Sequence, residues 1–164
     1  MDNKLEYIPG DLVMTNGISG GTAKNVVYKV MYSDPSKICV LDDGTVLKGI
    51  VRLENLENAK LEDEGYLYYG NSHVYSKDII PIPITPEILE ENGWKIEDVN
   101  PHDFSNIVSN GVMYRAIKDK EILFFLKGAS VFTCPLNWRK IEIRYVHELQ
   151  HLLFGLGLNH EIEV

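Results

Sequence analysis

The sequence has few cysteines, and its acidic residues outnumber its basic ones. Its 164 residues include two cysteines, Cys39 and Cys134, and neither sits in a CxxC pair of the kind found at metal sites. Reduced thiols in a cytosolic protein are the simplest interpretation, and Cys39 is expected to be a small buried residue. The net charge of −8 disfavours duplex DNA and anionic membranes as partners, because both select for lysine and arginine.

Long apolar runs are also missing. No stretch approaches about 18 apolar residues, so the sequence predicts no membrane-spanning helix. The first ten residues, MDNKLEYIPG, have neither a basic start nor an apolar core, which is not typical of a secretory signal. We therefore expect a cytoplasmic location, in the host cytoplasm or in a virion if a phage encodes the chain.

Short strands and tight turns dominate the first part of the chain. Asp43-Gly44 between two apolar runs is a strong signal for a β-hairpin. Ser33–Ser36 contains a proline and predicts a turn between two separate strands. Such short strands favour a small SH3-like β-barrel or a curled sheet. We assign it to a first module, residues 1–78.

The second module, residues 79–164, is predicted to be α+β. Thr85 as N-cap, Pro86 as first helical residue and Gly93 as a stop indicate a short helix over 86–92. Residues 95–111 are rich in loop signals, and strands are expected near 112–117, 121–127, 131–133 and within WRKIEIR at 138–144. An apolar periodicity predicts a closing helix at about 145–155. The fold class is therefore α+β, an antiparallel sheet with two helices following the β-module.

The closing helix contains a His-Glu-x-x-His sequence. His147 and His151 at i and i+4 could bind one zinc ion, and Glu148 could act as a general base on the bound water. The metzincin extension requires glycine and histidine where this chain has Phe154 and Gly157, and 13 residues after His151 leave no room for a ligand from a later helix. We interpret the motif as coincidental and predict no enzyme, no metal site and no cofactor.

Helical geometry supports that interpretation. At 100° per residue, both histidines fall on the side opposite the apolar residues, so both are expected to face solvent. The apolar residues that share one arc of roughly 120° are Tyr145, Val146, Leu149, Leu152, Leu153 and Leu156.

A tyrosine-rich segment is the candidate binding surface. The stretch GYLYYGNSHVYS favours a hairpin that turns at Gly70-Asn71. Tyrosine combines a flat apolar ring with a polar hydroxyl, which suits contact with a protein or a ligand. We predict that the binding residues are Tyr66, Tyr68, His73 and Tyr75.

Two segments resemble a group of proteins common in gut Bacteroidales genomes and their phages. The similarity covers mainly residues 79–94, with PIPITPEILEENGW, and residues 140–164, with IRYVHELQHLLFGLGL, and more loosely residues 8–53. The resemblance implies a β-barrel-like first part and a closing Tyr-Val-His-x-Leu-Gln helix, with glutamine common at the position of Glu148 and asparagine at that of His151. It implies no established activity.

The leading functional hypothesis is a non-enzymatic binding protein of phage or gut-bacterial type, whose partner is a virion component or a host factor. One alternative is a protein that sequesters a nucleotide signal in an anti-defence role, using the Gly17–Gly21 loop and the tyrosine-rich segment. The other alternative is a zinc hydrolase that uses the His147–His151 motif.

Overall fold

The fold is α+β and consists of two compact units, Met1–Ile82 and Pro83–Val164. It is seen in a computed structural model that describes residues 6–18, 21–56, 72–98, 112–119, 121–126, 132–136 and 139–164. Each unit contains a five-stranded sheet, and the two α-helices of the described residues both belong to the second unit. Neither of these helices is long and apolar enough to cross a membrane.

The first unit is an antiparallel sheet in the order β4-β3-β2-β1-β5. Among the described residues it forms an open sheet whose edges are β4 and β5. Its strands are β1 (Leu12–Thr15), β2 (Tyr28–Val40), β3 (Val46–Asn55), β4 (Ser72–Tyr75) and β5 (Ile79–Pro81). A single 3-10 turn, Ser76–Asp78, joins β4 to β5.

The hairpin predicted at Asp43-Gly44 is confirmed. The amide of Leu41 donates to the carbonyl of Thr45 at 2.9 Å, and the amide of Gly44 donates to the carbonyl of Leu41 at 2.9 Å. Gly44 has a φ of 81°, a conformation that glycine adopts without steric cost. The Leu41–Thr45 bond encloses three residues, Asp42–Gly44, which is a common length for a hairpin loop.

The turn predicted at Ser33–Ser36 is wrong, because β2 runs through Pro35 as one strand. The pairing of β2 with β3 shifts between Asp34 and Ile38, where three residues of β2 lie opposite the single residue Gly49. Proline cannot donate a backbone hydrogen bond, and a bulge places it where no ladder bond is required. Gly49 has a φ of 70°, so both strands are interrupted at the same level.

The core of the first unit lies on one side of its sheet. Tyr28 on β2 is almost fully buried, and its hydroxyl accepts a hydrogen bond from the amide of Ala23 at 2.8 Å. The period-2 alternation of the strands brings these side chains to one face. The buried cluster consists of Tyr7, Val13, Tyr28, Val30, Val51, Leu53, Val74 and Ile79.

The second unit is an antiparallel sheet in the order β10-β9-β8-β7-β6. Its strands are β6 (Lys95–Asp98), β7 (Val112–Lys118), β8 (Glu121–Leu126), β9 (Phe132–Leu136) and β10 (Arg139–Ile143). The last four confirm the predicted strands.

Strand β6 was expected to be loop, and that expectation is wrong. Its four residues lack an apolar pattern, and tertiary contacts hold it on the sheet instead. Glu97 forms ion pairs with Lys95 at 2.6 Å and with Arg115 on β7 at 2.7 Å. Because Arg115 comes from the neighbouring strand, the pairing could not be deduced from local sequence.

Both predicted helices are confirmed, as α1 (Pro86–Glu91) and α2 (Val146–Gly155). The hydroxyl of Thr85 accepts a hydrogen bond from the amide of Ile88 at 3.3 Å, which is the expected N-cap. The amide of Trp94 donates to the carbonyl of Leu89 at 2.9 Å, and Gly93 has a φ of 78°. This is the Schellman arrangement, and α2 ends in the same way at Gly157.

Candidate functional site

The outward side of the first sheet carries two cross-strand rows of polar and aromatic residues. Val51 on β3 and Val74 on β4 point into the core, so their neighbours along each strand point outward. The register places Tyr32, Arg52 and His73 side by side, and next to them Asp34, Ile50 and Tyr75. We call these six residues the outer rows.

Two of the four predicted binding residues therefore lie in the outer rows. His73 is exposed and Tyr75 is half-buried. The structure places them two residues apart on the edge strand β4, with their side chains on the same side of the sheet. Tyr66 and Tyr68 lie outside the described residues.

Beyond the bulge, the end of the β2–β3 hairpin exposes aliphatic side chains. We call residues 38–48 the hairpin end. Ile38 is 61% exposed, Val40 is 64% exposed and Val46 is 50% exposed. Val40 and Val46 are direct cross-strand partners, and Ile38 pairs with Lys48. Within the described part of the chain, no third strand pairs with the hairpin end.

The opposite side of the hairpin end is covered. Leu47 is only 7% exposed, and its cross-strand partner Cys39 is half-buried. The expectation of a buried Cys39 is therefore wrong, because among the described residues only β3 pairs with β2 at this level, and no third strand adds to its burial. A hydrogen bond with the Cys39 thiol raises the pKa of Tyr75, with a smaller contribution from burial of the phenol. This contact links the hairpin end to the outer rows.

A small hydrogen-bonded cluster fixes the bulge beside the outer rows. Asp34 accepts hydrogen bonds from the amide of Ser36 at 3.0 Å and from its hydroxyl at 2.6 Å. These bonds, with the nearby charge of Lys37, lower the pKa of Asp34. The hydroxyl of Tyr32 donates to the other carboxylate oxygen at 3.3 Å, and the negative charge of Asp34 raises the pKa of Tyr32. The carboxylate is therefore ionised at neutral pH and holds Tyr32 in place.

Charges of opposite sign lie at the two extremes of the hairpin end. Asp42 and Asp43 are exposed in the turn, and Asp43 accepts a hydrogen bond from the amide of Thr45 at 2.8 Å. That bond lowers the pKa of Asp43, which is therefore negative at neutral pH. Lys37 and Lys48 are exposed where the hairpin end leaves the sheet. The aliphatic residues lie between the acidic turn and these lysines.

The His-Glu-x-x-His helix differs from its expected orientation. His147 is 4% exposed, so the prediction that it faces solvent is wrong, while His151 is half-buried. The Tyr145 ring stacks on His147, with centroids 5.8 Å apart and planes 8° from parallel. The His151 ring meets His147 edge-on, also at 5.8 Å.

The buried side of α2 is turned toward the histidines. At 100° per residue, the observed buried arc is rotated by roughly 80° from the predicted one. An antiparallel bridge between Pro83 and Tyr145 fixes the start of the helix beside another segment. A helical projection considers only residues of the helix itself, so it does not include this contact. The buried residues of α2 are Val146, His147, Leu149, Gln150 and Leu153.

Glu148 supports the start of the helix. One of its carboxylate oxygens accepts hydrogen bonds from the amides of Arg144 at 2.6 Å and Tyr145 at 3.2 Å. These amides precede the first helical turn, where backbone donors have no partner within the helix. Among the described residues, no group of three or more histidine, cysteine, aspartate or glutamate side chains is arranged to hold a metal ion. The arrangement of Glu148 is that of a capping residue.

One pocket of the second unit is small. It is lined by Trp94, Lys118, Asp119, Leu153, Leu158 and Asn159, and its volume is about 60 Å³. Pockets that hold small organic ligands usually have volumes of roughly 300 Å³ or more. This pocket is therefore too small for a nucleotide. The loop that the sequence suggested for a nucleotide, Gly17–Gly21, lies partly outside the described residues.

Sequence reasoning missed the exposed residues of the hairpin end. Within the apolar run Ile38–Leu41, the sequence led only to the expectation that Cys39 is buried. A short apolar run next to Asp-Asp-Gly gives no indication of whether a third strand covers it, so only the sheet order could identify Ile38, Val40 and Val46. The candidate site is thus defined by strand register and side-chain exposure.

Comparisons with known proteins add no relative to this description. No family model, curated protein or solved structure matches the chain.

Proposed function

We propose that the protein is a non-enzymatic binding protein whose partner is another protein, and that the hairpin end and the outer rows form its docking surface. The exposure of Ile38, Val40 and Val46 on one ribbon carries this proposal. Neighbouring exposed aliphatic side chains, bordered by polar residues, mark interaction sites more often than scattered ones do. The outer rows add tyrosine and arginine, which protein interfaces favour.

The charge of the site supports a protein partner over a nucleic acid. Arg52 lies in the cross-strand row next to that of Asp34, Lys48 lies beyond the bulge, and the acidic turn follows at Asp42 and Asp43. A surface that tracks phosphates would be uniformly basic, because each phosphate contact requires a cation. Mixed charge around an apolar centre is typical of a protein interface.

We propose that the His-Glu-x-x-His sequence has a structural role and that the protein is not an enzyme. The capping bonds of Glu148 support this, since they use its carboxylate to order the backbone before α2. The burial of His147 beneath Tyr145 supports it as well.

We also propose a detailed shape for the first module, further residues of the docking surface and a biological setting for the protein. The bulges of β2 support a curled, SH3-like first module, because bulges increase the twist of a strand. We place Tyr66 and Tyr68 with His73 and Tyr75 in the docking surface. The setting we propose is phage or gut-bacterial, in the cytoplasm or the virion, with a virion component or host factor as the kind of partner.

Site-specific photo-crosslinking tests the proposed function. A benzophenone amino acid replaces Val40 in the full chain, and the matched control carries it at Phe154, which is 62% exposed in the second unit. We expect a defined protein adduct from position 40 and none from position 154. If position 40 gives no more protein adduct than position 154 in cells of the native source, the hairpin end is not a docking surface.

A further inference from the structure

We infer that the protein docked on the hairpin end is a second copy of this chain, in a two-fold symmetric contact. The inference rests on the proposed function and names the occupant of the hairpin end, which leaves the outer rows to the virion component or host factor. A two-fold interface requires a surface complementary to itself. The hairpin end meets that requirement in its apolar pattern and in its charges.

The apolar centre of the hairpin end can pack on itself. Val40 and Val46 are a cross-strand pair, and Ile38 follows two residues further from the turn on the same side of the ribbon. All three are β-branched, so they lose little side-chain freedom when they are covered. A two-fold axis through this strip would bring the valine pair of each copy onto that of the other.

The charges select one orientation for the two copies. From the turn at Gly44 to Lys48 is four residues, or about 13 Å along a strand. When the two hairpin ends lie antiparallel, the acidic turn of each copy, Asp42 and Asp43, lies beside Lys37 and Lys48 of the other. In the parallel arrangement the acidic turns would face each other and repel. An ordinary aspartate is already ionised at neutral pH, and the bond to Thr45 lowers the pKa of Asp43 further, so Asp43 carries its negative charge.

Sedimentation velocity of the purified full chain tests the inference. We expect a concentration-dependent shift from the 18.7 kDa chain to twice that mass. Val40→Glu should abolish the shift, because it places a charge at the two-fold contact. Phe154→Glu, an equally exposed apolar position in the second unit, should leave it unchanged.

Variants with reversed charges at the two ends of the hairpin end provide the decisive test of the two-fold contact. Asp42→Lys with Asp43→Lys should raise the dimer dissociation constant by on the order of tenfold. Adding Lys37→Glu and Lys48→Glu to the same chain should restore it, which a merely structural effect of the first pair would not do. A reversal without effect, or a restored charge pattern that fails to restore the dimer, overturns the inference.

The outcome also separates this inference from the proposed function. If the chain stays at 18.7 kDa at every concentration while position 40 crosslinks to a different protein, the second copy is wrong and the docking surface stands. If position 40 gives no adduct and the chain stays monomeric, both proposals fail.

Discussion

Glu148→Ala should destabilise the second unit through the start of α2. The carboxylate accepts two backbone hydrogen bonds at 2.6 Å and 3.2 Å, from amides that alanine would leave to solvent. It also places a negative charge in the first helical turn, where the helix dipole favours it. The variant loses both contributions without removing any buried apolar surface.

The expected loss follows from these two contributions. Removing a side chain that caps a helix costs about 1 kcal/mol, within a range of roughly 0.5–2 kcal/mol. A favourable charge at a helix end contributes about 0.3–1 kcal/mol, and partial solvent exposure of Glu148 favours the lower value. We therefore expect Glu148→Ala to reduce the free energy of unfolding by about 1.3 kcal/mol. Glu148→Gln keeps an acceptor oxygen and should lose roughly half as much.

Urea unfolding followed by tryptophan fluorescence measures this effect. Both tryptophans, Trp94 and Trp138, belong to the second unit, so the signal reports its unfolding. Glu90→Ala is the matched control, because Glu90 is exposed near the end of α1 and caps no helix start. An unfolding midpoint for Glu148→Ala that equals those of the wild type and of the control would refute the capping role.

Three further predictions concern the bulge, the buried histidine and an ion pair. Gly49→Ala should destabilise the first unit by about 1 kcal/mol more than Gly44→Ala in thermal unfolding, because both have positive φ but only the Cβ at position 49 would overlap a neighbouring side chain; equal losses would contradict this. In urea unfolding, His147→Ala should lower the free energy of unfolding by about 2 kcal/mol and His151→Ala by under about 1 kcal/mol, because the His147 ring is buried and the His151 ring is half-buried. A larger loss for His151→Ala than for His147→Ala would contradict the orientation of α2. Hydrogen bonds from its lysine and arginine partners lower the pKa of Glu97 below its ordinary 4.5, so its contribution to stability is present above that pH and is lost as the pH falls through the lowered value. The difference in unfolding free energy between wild type and Glu97→Gln should therefore be present at pH 7 and diminish as the pH falls through the lowered pKa of Glu97. A difference that does not change with pH would refute this ionic origin.

The elements that the sequence predicted well are those with local chemical signals. Thr85, Pro86 and Gly93 determine the limits of α1, because each acts on backbone groups within a few residues. The hairpin at Asp43-Gly44 is equally local, since the positive φ of Gly44 is a property of the loop itself.

The elements that the sequence did not predict depend on distant partners. Strand β6 is held by β7, and the continuity of β2 through Pro35 depends on a gap in its pairing with β3. The orientation of α2 depends on a bridge to Pro83, more than 60 residues earlier. Of the residues that we include in the candidate site, the sequence predicted His73 and Tyr75 by their residue types, and it did not predict the hairpin end because exposure depends on sheet order.

The interruption at the bulge separates two stretches of regular pairing. Three residues of β2 and Gly49 of β3 face each other there without a continuous ladder. The direction in which residues 38–48 project is therefore determined by a handful of backbone dihedral angles and by the Asp34–Ser36 hydrogen bonds. Together with the hydrogen bond between Cys39 and Tyr75, these bonds hold the ribbon at this joint, so the exposed valines are presented in a defined direction even though the ladder is broken.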